Sequence, residues 1–86
     1  MGPPQWSDMG MWLQSVMLLL VEAGLASCPQ ECWAMYGTTV RRALALDDSQ
    51  ILFAGLAIGY ADEDAAVNQW PVPRAPLDEV IDWQGF

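Results

Sequence analysis

The feature that most constrains the fold of this chain is an uncharged segment of ten residues, 51–60, with the sequence ILFAGLAIGY. A segment that is apolar on both faces is typical of a central strand, since a strand with one face in water alternates apolar and polar residues. Gly55, Ala57 and Gly59 share one face, which favours close packing of another element there. One strand cannot form a sheet, so we expect its partners to come from the chain's tail, a second copy of the chain or a further polypeptide.

The region before this strand is predicted to be helical. Residues 1–8 contain two prolines and a glycine, and we expect an irregular lead-in with Ser7 or Asp8 as the helix N-cap. A helix is predicted over residues 9–23, apolar around most of its circumference and therefore covered on several sides. Gly24 is placed to end it in the left-handed conformation.

Two shorter helices are predicted next. Residues 25–28 form a short connection, and Pro29 suits the first position of a helix that runs to Tyr36. A third helix begins at Thr38 or Thr39, continues to residue 44 or 46, and leaves Arg41 and Arg42 in solvent. Residues 61–86 contain three prolines within 61–76 and are predicted to form an extended C-terminal arm, with a short strand or helical turn over 77–83. These elements predict a helix-rich α+β fold with one central strand that is completed by pairing between chains.

The charge balance excludes several classes of function. The formal net charge is −8, with eleven acidic residues, three arginines, no lysine and no histidine. Phosphate backbones are bound by clusters of basic residues, so nucleic acid is not an expected partner. Chemistry that uses histidine is absent, and the spacing of Cys28 and Cys32 supplies only two of the ligands that a metal site needs. We therefore expect reduced structural thiols in the cytoplasm.

The length and the hydrophobicity together indicate a partner surface. A chain of 86 residues forms one domain at most, and 53% of its residues are hydrophobic. A domain this small has too thin a core to bury that much apolar surface alone.

A lipid anchor is a further possibility, since residues 25–28 (LASC) match a bacterial lipoprotein cleavage box. No basic residue precedes this box, and both Asp8 and Glu22 are contrary to a secretory signal. A membrane-spanning helix is not expected either, because spanning needs about 20 apolar residues in succession.

Four segments resemble the C-terminal region of the FMN-dependent nitroreductases. They are the helix end LLLVEAGL at 18–25, the turn CPQE at 28–31, the strand LFAGLAIGY at 52–60, and RAPLDEV at 74–80 followed by Trp83. Their order and spacing over residues 14–86 make the resemblance fairly specific. It implies a cytoplasmic bacterial flavoprotein, built as an intertwined α+β homodimer with FMN at the interface. Such proteins take reducing equivalents from NAD(P)H and reduce nitroaromatics or quinones.

The resemblance also implies the residues that bind the cofactor. Pro29, Glu31 and Cys32 match the turn that lies against the flavin ring, where backbone N–H groups hold the ring. Glu31 also suits the first turn of any helix. Arg74 matches the arginine that contacts the flavin phosphate, although an arginine in a proline-rich loop is also an ordinary surface residue. Val72 stands where many members have a second basic residue. No residue is assigned a catalytic role, and none is assigned to a metal.

Two hypotheses on function follow for residues 1–86, taken as a single partial nitroreductase-like domain. In the first, the chain is a truncated nitroreductase that does not bind flavin tightly alone, since the segment that grips the phosphate and ribityl chain has no counterpart before residue 9. In the second, the chain is a non-catalytic dimeric module that keeps only the dimer core. A chain that uses Cys28 as a lipid anchor is the weakest alternative.

Overall fold

The computed structural model describes residues 2–85 and contains both helices and a sheet. The elements in chain order are α1 (Pro3–Glu22), β1 (Ala26–Gln30), a 3₁₀ helix (Glu31–Tyr36), α2 (Gly37–Ala43), β2 (Gly55–Gly59), α3 (Ala66–Gln69) and α4 (Leu77–Val80). The two strands form one antiparallel sheet. The predicted α+β class is confirmed.

Helix α1 begins earlier than predicted. The irregular lead-in predicted over residues 1–8 is wrong from Pro3 onwards, since the helix starts there and the N-cap is Gly2 rather than Ser7 or Asp8. Residue 1 lies outside the described residues. Prolines at the first two helical positions are tolerated because the N–H groups they lack have no partner inside the helix. The N–H of Gly2 donates to Oε1 of Gln5 at 2.9 Å.

Gly24 ends α1 as predicted. Its φ of 78° is in the left-handed region. The N–H of Gly24 donates to the carbonyl of Val21 at 3.0 Å, and the N–H of Leu25 donates to that of Leu20 at 2.8 Å. This pair of bonds is the Schellman motif, which satisfies two of the last carbonyls of a helix.

The predicted strand has a partner within the same chain, so the predicted pairing between chains is wrong for this edge of the strand. β1 pairs with β2 in the register Ala26↔Gly59 to Gln30↔Gly55. The predicted connection at residues 25–28 and the helix start at Pro29 are therefore wrong. β1 has no branched or aromatic side chain to indicate a strand, and pairing with β2 overrides its weak propensity. Pro29 is tolerated because β1 is an edge strand.

The predicted strand over residues 51–60 is longer than the ladder. β2 covers only Gly55–Gly59, and the preceding residues 51–54 have no strand partner within the described chain. α1 crosses beside this segment, where the rings of Trp6 and Phe53 lie 5.6 Å apart at 40°. Trp6 belongs to the stretch that was predicted to be irregular. Its contact with Phe53 is available when this stretch is helical, and it therefore favours the early start of α1.

The C-terminal arm is not extended throughout. It contains two helices of four residues each, α3 and α4. The first follows the acidic stretch at residues 62–64, and the second forms the predicted helical turn of the tail. Within residues 2–85, no helix has both the length and the apolar character needed to cross a membrane.

The described residues do not form a buried core. None of them is buried, whether apolar or polar. The radius of gyration is 17.1 Å, whereas a compact domain of this length has one of about 12 Å. The chain's own elements therefore do not cover its apolar side chains, which is why the composition led us to expect a partner surface.

Candidate functional site

The predicted site residues Pro29, Glu31 and Cys32 lie where β1 passes into the 3₁₀ helix. Pro29 is in the strand opposite Leu56, and Glu31 and Cys32 are the first two residues of the helix. All three are exposed. The first N–H groups of a helix have no partner within it, so Glu31 and Cys32 offer backbone donors. Pro29 has no N–H and can only shape the backbone.

Trp33 packs directly behind this turn. Its indole Nε1 donates to Oε1 of Gln30 at 3.0 Å, and its ring lies against the backbone of Gly55. The close packing predicted beside the small residues of the strand is thus present at Gly55. At Gly59, by contrast, a Cβ would meet nothing within 4 Å. Sequence reasoning did not identify Trp33 or Gln30, and the only signal was the glycine that faces them across the sheet.

Arg74 lies in the segment between α3 and α4. Its side chain is exposed, and it makes no hydrogen bond or ion pair with any residue of the described range. Five N–H donors therefore remain available to an anion. Among the described residues, no hydrogen bond joins Arg74 to the turn at residues 29–32.

The two cysteines are free and exposed. The S–H of Cys28 contacts the carbonyl of Pro29 at 3.9 Å, which is a weak interaction. In the part of the chain that the structure covers, no group of three or more potential ligands is arranged to hold a metal ion.

Arg41 differs from the solvent-exposed residue that was predicted. It is half-buried, and its guanidinium donates to the carbonyl of Gln50 at 3.2 Å and to Oγ1 of Thr38 at 3.4 Å. These bonds hold the loop between α2 and β2. Beside Arg41 lies a largely apolar cavity of ≈ 380 Å³. It is lined by three residues of α1 and by residues 50–56.

In the same loop, the carboxylate of Asp47 accepts hydrogen bonds from Ser49. The N–H of Ser49 lies 2.8 Å from Oδ1 of Asp47. The hydrogen bond from the Ser49 side chain, followed by that from its backbone, holds the pKa of Asp47 below its ordinary value of 3.8. Hydrogen bonds to the charged form favour ionisation.

The donor set fits a flavin in its chemistry at two separate points. Backbone N–H groups at Glu31 and Cys32 suit the acceptor atoms of a planar ring, and the guanidinium of Arg74 suits a phosphate. No hydrogen bond or ring contact among the described residues joins these two points. The assignment of these residues to a flavin remains a prediction from the resemblance.

Comparison with known proteins identifies the family. The model of the nitroreductase family matches residues 3–60. The 4-nitrobenzoate reductase of Pseudomonas putida is 40% identical over 81 residues, which is 94% of this chain and 36% of that protein.

Two solved structures are similar in both fold and sequence. The FMN and NADPH-dependent nitroreductase NfnB from Sphigopyxis sp. strain HMH matches with a TM-score of 0.95 and 82% identity, over 100% of this chain and 39% of that one. The FMN-dependent nitroreductase NfnB from Mycobacterium smegmatis, in complex with NADPH, matches with a TM-score of 0.85 and 41% identity, over 91% of this chain and 35% of that one. The chain thus spans well under half of each relative, and it belongs to the nitroreductase family.

Proposed function

We propose that this chain works as part of an FMN-dependent NAD(P)H oxidoreductase that reduces nitroaromatics or quinones. The observation that carries the proposal is the 82% identity, over the whole chain, to a protein described as an FMN and NADPH-dependent nitroreductase. The name of the Pseudomonas putida relative, 4-nitrobenzoate reductase, supports a nitroaromatic acid as a first substrate to test.

In this proposal each predicted site residue has one task. The N–H groups of Glu31 and Cys32 orient the flavin ring, and Pro29 sets the direction of the backbone that presents them. Arg74 binds the phosphate through its planar fork of donors. When bound, FMN would supply the hydride chemistry that the side chains of this chain cannot provide.

Electrostatics argue that the chain does not hold FMN tightly alone. A flavin phosphate is close to dianionic, and only Arg74 is assigned to it in a chain with a formal net charge of −8. Repulsion from the acidic surface opposes an anionic ligand. Tight binding therefore requires the remaining portion of a nitroreductase subunit, which we propose is shared in a cytoplasmic homodimer.

The test compares the chain alone with a chimera in which it replaces the matching segment of the Sphigopyxis enzyme. We expect the purified chimera to contain FMN and to oxidise NADPH when 4-nitrobenzoate is added. The chain alone should bind FMN at least about tenfold more weakly in a fluorescence titration, since most phosphate donors are missing. A folded chimera that takes up no FMN would contradict the proposal.

The second candidate is a non-catalytic dimeric module. It is favoured by the formal net charge of −8, with three arginines in the chain, which opposes binding of an anionic cofactor. The two candidates differ in the colour of the protein. A chain that forms stable dimers yet stays colourless, both alone and in the chimera, would support the module.

A further inference from the structure

We propose that Trp33 is a positioning residue for the turn at Glu31 and Cys32, which it holds between two anchors, Gln30 and Gly55. The inference rests on the proposed function, since this turn faces a flavin only in a nitroreductase. Trp33 itself is not assigned any contact with the cofactor or the substrate. Its role is to fix the backbone whose N–H groups make that contact.

The first anchor is the hydrogen bond to Gln30. Nε1 of Trp33 lies 3.0 Å from Oε1 of Gln30, within the normal range for an N–H···O bond. The bond spans only Glu31 and Cys32. It joins the last residue of β1 to the first turn of the 3₁₀ helix, so the two backbone donors lie inside a short closed loop.

The second anchor is the packing of the indole on Gly55. A Cβ added to Gly55 would lie 2.7 Å from Cδ1 and 3.3 Å from Nε1 of Trp33. Real Cβ atoms do not come so close, so the glycine is needed here for the close approach of the ring. Gly55 is also the residue opposite Gln30 in the ladder. One position of the sheet therefore carries both anchors.

The neighbouring aromatic residue limits where the ring can move. The rings of Trp33 and Tyr36 meet edge to face, with centroids 6.3 Å apart and planes at 63°. Residues three apart lie above one another in a 3₁₀ helix, so this contact follows from the helix itself. The contact therefore ties the indole to the helix whose first turn contains Glu31 and Cys32.

The test uses the chimera described above and a matched pair of variants, Gly55→Ala and Gly59→Ala. Both add one methyl group to β2, but only the first meets Trp33. The main measurement is the backbone ¹⁵N order parameter at Glu31 and Cys32, which does not depend on activity. We expect Gly55→Ala to lower this order parameter from about 0.85, the value of a rigid backbone, towards about 0.6. Gly59→Ala should match the parent.

Three further variants cover the case in which Gly55→Ala does not fold. Trp33→Phe keeps an aromatic ring and removes the donor, whereas Gln30→Glu keeps an acceptor oxygen and Gln30→Leu removes it. We expect Trp33→Phe and Gln30→Leu to lower the order parameter of the turn amides and to shift the reduction potential of bound FMN. Gln30→Glu should keep the parental order parameter.

The outcomes separate this inference from the proposed function. If the variants lower the order parameter of the turn amides but the parent chimera binds no FMN, the positioning role stands and the proposed function is wrong. If the parent binds FMN and neither Gly55→Ala nor Trp33→Phe changes the order parameter at the turn, Trp33 does not position it.

Discussion

At the scale of single residues, two exposed arginines have different expected roles. Arg74 is the residue assigned to the flavin phosphate, and Arg42 lies in the last turn of α2, outside every segment that matches a flavin contact. In the chimera, Arg74→Ala should weaken FMN binding by about 1.5–3 kcal/mol, the range of a hydrogen bond to a charged group. Arg42→Ala removes the same charge and should leave the affinity unchanged. If a fluorescence titration shows that both variants lose FMN affinity equally, the effect comes from the net charge of the protein and Arg74 is not part of the site.

The carboxylate of Asp47 gives a prediction on pH. Its pKa is lowered by the hydrogen bonds from Ser49. These bonds therefore stabilise the loop fully when the pH is above the ordinary pKa of 3.8. That contribution is lost as the pH falls through the lowered pKa of the folded state. We expect the Asp47 carboxyl signal to titrate below 3.8 by NMR. Ser49→Ala should move the midpoint upwards, and an unchanged midpoint would mean that the side chain of Ser49 has no part in it.

At the scale of elements, helices α1 and α2 end in the same capping motif but have different residues at its left-handed position. Gly24 follows α1, and Ala45 follows α2 with a φ of 52°. After α2, the N–H of Leu46 donates to the carbonyl of Arg41 at 2.9 Å, as in the Schellman motif. A left-handed residue with a Cβ is strained, whereas glycine is not.

This difference predicts opposite effects of two substitutions. Gly24→Ala should lower the free energy of unfolding of the chain by about 1–2 kcal/mol, and Ala45→Gly should raise it by up to about 1 kcal/mol. Gly10→Ala is a control within α1, because a Cβ at this position meets nothing within 4 Å. This substitution should be mildly stabilising, since alanine favours a helix more than glycine does. Thermal unfolding followed by circular dichroism measures all three. Loss of stability in Ala45→Gly would contradict the account.

The sequence predicted the elements that have strong local signals. Gly24 marks the end of α1, and the uncharged segment at residues 51–60 contains β2. β1 was missed because ASCPQ has neither alternation nor branched side chains, and it becomes a strand only by pairing with β2. The early start of α1 was missed because two prolines suggested a loop, although proline is favoured at the first helical position.

The site residues were predicted from the resemblance alone, and their contact with a flavin stays a prediction. Pro29, Glu31 and Cys32 do lie together, since they are adjacent in the chain. Whether Arg74 approaches them depends on contacts that the described chain does not make. Trp33 could not be identified from its own position, because its partner Gly55 is 22 residues away and only the strand register brings them together.

At the scale of the whole molecule, the chain exposes far more surface than a folded monomer of its mass. The accessible surface is 7628 Å², whereas a compact protein of 9.5 kDa exposes about 5,000 Å². The excess of roughly 2,600 Å² is as large as many obligate interfaces. Much of it is apolar, since Trp12 is 61% exposed and Leu19 is 63% exposed on α1.

We therefore predict that the isolated chain forms a dimer or a higher oligomer, because exposed apolar area of this size drives association. Light scattering at micromolar concentration should give at least twice the monomer mass, and removing the residues after Val72 should destabilise the assembly as a whole. Leu19→Glu adds one charge to the exposed apolar face of α1 and should shift the chain towards monomer. Gln14→Glu adds the same charge at a polar position of that helix and should not. A cooperative, well-folded monomer would show that the chain satisfies its helix and strands internally, and the prediction would then be wrong.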